Sequence, residues 1–78
     1  MSNLSKLKWR CRRGMRELDV LLERYLDRRF SNATLEEQNL FEAFVDLPDD
    51  PLIEWLLKDI SPPPQWQDLV IKIRAIHF

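Results

Sequence analysis

Apolar residues recur along the chain at intervals of three and four, and the pattern is interrupted at four places, so each uninterrupted stretch predicts one amphipathic helix. Leu4, Leu7 and Cys11 stand at i, i+3 and i+7 with Lys and Arg between them, and this first helix is expected to end near Gly14. Beyond the glycine, Met15, Leu18, Leu22, Tyr25 and Leu26 predict a second helix whose other face carries Arg16, Glu17, Glu23 and Arg24. Ser31-Asn32 breaks that pattern. Thr34-Leu35-Glu36-Glu37 has the form of a capping box, with a Thr able to accept from the backbone N–H three residues on and a Glu able to reach back. A third helix should run from there to about Asp46 and bury Leu40, Phe41, Phe44 and Val45.

Leu47 to Pro51 reads as a turn, with Asp50 as N-cap and Pro51 at the first helical position of a short fourth helix. Leu52, Ile53, Trp55, Leu56 and Leu57 make that helix apolar nearly all round, so it should be pressed between neighbours. Pro62-Pro63-Pro64 ends the segment, because proline lacks the N–H and disfavours helix in the residue before it. The last element, Gln65 to Ile76, places Trp66, Leu69, Val70, Ile73 and Ile76 on one side. With no period-two strand pattern and short linkers, the expected architecture is all-α: a compact five-helix bundle forming one small domain over residues 1–78.

Gly14 is the only glycine. Such a residue costs about 1 kcal/mol relative to alanine inside a helix, so its place marks either a turn between helices or a spot where another backbone comes close. Charge sharpens the interest. Residues 1–16 hold Lys6, Lys8, Arg10, Arg12, Arg13 and Arg16 and no acid, whereas residues 17–78 hold the other six cations and all 13 acids. This asymmetry gives the molecule a dipole able to steer a partner with an acidic patch.

A chain this short has little room for a deep catalytic pocket. It contains no G-x-x-x-x-G-K-[ST], G-x-G-x-x-G or H-E-x-x-H motif. One cysteine, Cys11, excludes an internal disulfide, and the one histidine, His77, is too remote in sequence to give a Cys/His metal spacing. A Cys11–His77 nucleophile–base pair would lack a third, orienting group. The cysteine usage fits a reducing compartment, expected to be the cytoplasm. No apolar run approaches the ~20 residues of a membrane span.

For Arg13 and Glu17, four residues apart, two readings stand. One is an i,i+4 ion pair within a helix, worth about 0.2–0.5 kcal/mol; the other is an Arg fork and a carboxylate flanking a flat glycine gap that receives a partner's backbone. Trp9 lies off the Leu4-Leu7-Cys11 stripe and reads as an exposed anchor among cations, whereas Trp55 and Trp66 read as core. Asp49 and Asp50 serve a turn and cap or meet a partner's cations. A basic arm with an interleaved Trp also suits a nucleic-acid contact, but a pI near 5.8 and the acidic remainder oppose it. A small antitoxin-like interaction module is a further alternative.

The string Trp9 to Asp19, W-R-C-R-R-G-M-R-E-L-D, resembles the R-G-x-x-E signature of the SdhE flavinylation factors, the succinate dehydrogenase assembly factor 2 family. Chain length, the Asp49-Asp50-Pro51-Leu52 turn followed by Trp55, and the closing apolar helix resemble that family as well. The resemblance implies a non-enzymatic, chaperone-like factor that binds the flavoprotein subunit of succinate dehydrogenase, and by extension that of fumarate reductase, and promotes covalent attachment of FAD. It implies no stably bound cofactor, FAD being the group attached to the client, and no nucleic-acid partner. By position it assigns partner binding to Arg13, Gly14 and Glu17, with Arg16, Trp9 and Asp50 contributing to the same face.

Overall fold

A computed structural model of the chain describes residues 3–76. Among these residues α1 (Asn3–Arg10), α2 (Arg16–Arg28), α3 (Leu35–Phe44), α4 (Asp49–Leu56) and α5 (Pro64–Arg74) follow one another, with a 3-10 turn over Phe30–Asn32 between α2 and α3. The all-α, five-helix expectation is met, and no strand occurs among the described residues.

The predicted stripe of α2 is buried at Leu18, Leu22, Tyr25 and Leu26. Met15 departs from it. It precedes the helix in an extended conformation and is exposed, because the chain is still leaving the glycine turn at that point. Glu17 and Asp19 in the first turn and Arg28 in the last match the helix dipole.

The capping box of α3 is half formed. Thr34 accepts from the Glu37 N–H at 3.1 Å, as expected, but the Glu37 carboxylate does not return to the cap. It accepts instead from the Tyr25 hydroxyl and from Lys72 Nζ, each at 2.5 Å, and so ties α3 to α2 and α5. A three-helix tie outcompetes a local cap here because Tyr25 is buried and its hydroxyl needs an acceptor.

Asp50 is not the N-cap of α4. The helix begins at Asp49, two residues before the expected Pro51, with Pro48 in the cap position and no side-chain cap bond, which puts Pro51 in the first turn, where a missing N–H costs nothing. Asp49 and Asp50 then sit on the positive end of the helix dipole. Leu52 and Leu56 are buried while Ile53, Trp55 and Leu57 pack against the core from its edge, as expected for a helix between neighbours. After α4 the chain reverses at Asp59, in the left-handed region at φ +62°, and the Ile60 N–H closes the turn on the Glu54 carbonyl at 2.9 Å. Pro64 opens α5, and the five predicted residues Trp66, Leu69, Val70, Ile73 and Ile76 are all buried.

The core is aromatic at its centre. Tyr25 stacks on Phe41 with 4.4 Å between ring centroids, and Phe44 meets Trp66 at 5.3 Å and Trp55 at 6.2 Å. Helix α5 packs against α2, α3 and α4. Helix α1 adds Leu7 to the core and Cys11 follows it there just past the helix end, whereas Leu4 is exposed. Its attachment is completed by charge: Arg10 Nη2 donates to the Glu42 carbonyl at 2.9 Å and pairs with Asp46.

Candidate functional site

The segment between α1 and α2 carries the glycine. Helix α1 tightens at its end, with Cys11 and Arg12 N–H groups donating to Leu7 and Trp9 carbonyls at 3.1 Å, and the backbone then turns through Gly14 at φ +82°. This is the left-handed region, where a Cβ clashes with the backbone of its own residue. A Cβ placed on Gly14 would meet nothing within 4 Å, so the space above the glycine is open. Gly14 is thus the turn between two helices, and the space beside its exposed backbone is open.

That turn is held from behind. The Arg13 N–H donates to Asp19 Oδ1 at 2.6 Å, so the first turn of α2 holds the residue that precedes the glycine. The Arg13 side chain runs inward, and its Nη1 donates to the Leu47 carbonyl at 2.8 Å and to Asp49 Oδ1 at 3.2 Å. Its side chain is 14% exposed, which sets it apart from the rest of the basic arm. Nε and Nη2 of Arg13 are buried without a hydrogen-bond partner. Arg13 thus clamps the glycine turn to the α3–α4 loop, and Arg10 does the same one turn earlier through Glu42 and Asp46.

The predicted site residues separate into groups. Arg13 and Glu17 do not form the i,i+4 pair, because Arg13 precedes the helix and points at Asp49. Arg16 and Glu17 are exposed in the first turn of α2 and line a shallow groove with Val20, Leu21, Arg24 and Leu57. Trp9 is 69% exposed, as expected, but it lines a different recess with Ser5, Lys8 and Arg12, whose guanidinium lies 5.7 Å from the ring centroid. Asp50 is exposed and follows the residue that Arg13 grips. Arg13, the residue before Gly14, is brought together with Asp19, Leu47 and Asp49, while Glu17 stands three residues after the glycine in the first turn of α2.

Sequence reasoning left Asp19, Asp46 and the Leu47 carbonyl out of the site. Asp19 offered a local signal, being an acid six residues after an arginine across a glycine, but a carboxylate bonding a backbone N–H is not visible as a charge pair. Asp46 and Leu47 meet Arg10 and Arg13 through the tertiary fold, over separations of 36 and 34 residues.

Nucleophilic chemistry is not supported at Cys11. Its thiol is fully buried, and desolvation first, then the Glu23 carboxylate, push it up to about 12. His77 lies outside the described residues. Among the described residues no group of His, Cys, Asp and Glu is arranged to hold a metal ion, and no helix is long and apolar enough to cross a membrane.

Comparison with known proteins places these features in a family. A family model described as "Flavinator of succinate dehydrogenase" (Sdh5) matches residues 5–77. The FAD assembly factor SdhE of Coxiella burnetii is 39% identical over 72 residues, covering 91% of this chain and 88% of that protein. The FAD assembly factor SdhE of Xylella fastidiosa (strain 9a5c) is 42% identical over 76 residues, covering 96% and 78%. That of Shewanella oneidensis is 31% identical over 76 residues, covering 96% and 93%. No solved structure matches the chain.

Proposed function

This chain belongs to the family described as flavinator of succinate dehydrogenase, and from that membership we propose that it binds the flavoprotein subunit of succinate dehydrogenase and promotes covalent attachment of FAD to it. The observation that carries the reading is Gly14. A left-handed residue without a side chain opens onto solvent while its neighbour Arg13 is fixed by Asp19 and the Leu47 carbonyl, which supports reading this spot as one where another backbone comes close. Arg16 and Glu17 flank it with exposed charge, and Asp50 and Trp9 extend the contact on neighbouring elements. Arg13 serves as a positioning residue through its clamp on the Leu47–Asp49 loop.

The factor works without a catalytic group of its own. FAD belongs to the client and is the group attached there, not a resident cofactor of this chain. A rigid surface that binds one conformation of the flavoprotein more tightly than others shifts the client toward that conformation. If that is the state in which flavin and acceptor side chain are aligned, the client's own reaction accelerates by positioning alone. The same logic extends the client range to the fumarate reductase flavoprotein, and it operates in the cytoplasm.

The test is in-gel fluorescence of covalent flavin on the succinate dehydrogenase flavoprotein in cells lacking the gene and complemented with wild type or Gly14→Arg. Signal lost in the deletion and restored by wild type but not by Gly14→Arg is the expected result. Full signal without the gene overturns the reading.

A further inference from the structure

The shallow groove on the outer side of α2 extends the glycine surface in a direction that the R-G-x-x-E motif does not cover. Its floor is Val20, Leu21 and Leu57, and its rim is Arg16, Glu17 and Arg24. Val20 stands four residues after Arg16 and four before Arg24, so the two guanidinium-bearing residues bracket it on one helical face. Leu21 and Leu57 are half-buried and already packed against the core, which makes the floor a rigid one joining α2 to the end of α4. The buried face of the same helix is satisfied by Leu18, Leu22, Tyr25 and Leu26. Val20 therefore has no part in the predicted core stripe, and its apolar side chain sits on a face otherwise given to charge.

We infer that this groove docks a segment of the flavoprotein client that inserts one aliphatic or aromatic side chain onto Val20, Leu21 and Leu57 and sets a carboxylate against the Arg16 and Arg24 side of the rim. The inference rests on the flavoprotein-binding reading above. Two observations select this occupant. The groove is continuous with the proposed interface, since Arg16 and Glu17 belong to both. Its rim carries two cations and one acid, so an incoming segment of net negative charge is complementary and a basic one is repelled. An apolar floor inside a charged rim is the arrangement in which a single anchoring side chain contributes most to affinity, because the rim excludes water from it.

The experiment is isothermal titration of the purified succinate dehydrogenase flavoprotein subunit with wild type, Gly14→Arg, Val20→Thr and Val20→Glu, each checked by circular dichroism. Val20→Thr keeps the shape of the side chain at a half-buried position, so it folds and places a hydroxyl under the docked side chain. It is expected to weaken binding about fivefold, and Val20→Glu more than tenfold, as an unpaired polar group and then a charge are buried. Unchanged affinity for both Val20 variants, with Gly14→Arg abolishing binding, overturns the groove and leaves the family reading intact. Absence of binding by wild type removes the reading and the groove with it, whereas full binding by Gly14→Arg leaves flavoprotein binding standing but removes the glycine surface and overturns the groove as its extension. A wild-type dimer in sedimentation that Val20→Glu converts to monomer would assign the groove to a second copy of this chain and likewise overturn the inference.

Discussion

Arg13 and Asp49 are 36 residues apart in sequence and meet at 3.2 Å, Nη1 to Oδ1, with the same Nη1 donating to the Leu47 carbonyl at 2.8 Å. The relationship converts a signature arginine into a clamp. Because Asp49 is nearly half exposed, the ion pair itself adds little, and most of the stabilisation comes from the satisfied carbonyl and the packed side chain. Arg13→Ala is expected to cost about 1–3 kcal/mol in urea denaturation, from the lost packing together with the orphaned, part-buried Leu47 carbonyl. Arg13→Lys should recover only part of this, since a point charge cannot reproduce the fork that reaches carbonyl and carboxylate together. Equal stability of all three proteins would show that the clamp is not needed to hold the turn.

Gly14 separates a backbone cost from an interface cost. Its φ of +82° penalises any L side chain, while nothing within 4 Å opposes the added atoms. Gly14→Ala is therefore expected to lower stability by about 1–2 kcal/mol with helicity retained. Gly14→Asn should lower it less, because Asn tolerates the left-handed region. Gly14→Arg should keep the fold and abolish capture of the flavoprotein. Loss of the helical dichroism signal in Gly14→Arg would instead make the glycine a purely structural turn.

Glu17 makes the opposite case to Arg13. It is exposed in the first turn of α2 and its contribution to stability is limited to the helix dipole, so Glu17→Ala should move the unfolding free energy by only about 0.5 kcal/mol. Flavinylation supported by the mutant should nevertheless fall about tenfold or more, the worth of a charge-assisted hydrogen bond made only with the partner. A stable Glu17→Ala protein with undiminished flavinylation would remove Glu17 from the interface.

The helices and their buried faces were legible because periodicity reports directly on which side of a helix leaves water. Trp66, Leu69, Val70, Ile73 and Ile76 were all placed correctly on that basis. Gly14 was legible as well, since a lone glycine between strong helical stretches has few reasons to be there. What could not be read were the partners that the tertiary fold supplies. Nothing local distinguishes Arg13, turned in on the Leu47–Asp49 loop, from Arg16, which is exposed three residues later. The cap of α4 was misplaced by two residues, at Asp50 rather than Pro48, because Asp-Pro is a strong start signal and Pro48 has no side-chain acceptor to mark the true cap.

At acid pH the Glu37 tie should fail once its depressed carboxyl is protonated. Its carboxyl is held below the usual range, chiefly by the hydrogen bond from Lys72, then by that from Tyr25. A depressed folded-state pKa means that the stabilisation is present above the ordinary value of 4.5 and is lost as pH falls below it through the folded value. The urea midpoint should therefore drop on acidification below about 4.5, and Lys72→Met should flatten that limb by removing the first cause. An acid limb unchanged in Lys72→Met would assign the acid sensitivity to other carboxylates.

At alkaline pH the sign reverses. Burial first, then the hydrogen bond to Glu37, raise Tyr25, and burial first, then Glu23, raise Cys11 to about 12. Both groups are neutral in the folded protein, so the stability they confer is complete below the unfolded values of 9.0 for Cys11 and 10.0 for Tyr25 and is lost as pH rises past them. The thiol gives a direct readout, because only a thiolate that reaches solvent is alkylated. At about pH 8 a free cysteine carries an appreciable thiolate fraction, yet native Cys11 should react with iodoacetamide only as fast as the chain opens. Adding urea to the transition midpoint should raise the rate to about half that of a model peptide, since half the molecules are then unfolded. Rapid alkylation of the native protein would mean that α1 leaves the core readily, and the clamp from Arg10 and Arg13 to the α3–α4 loop would then be too weak to hold the glycine surface in place.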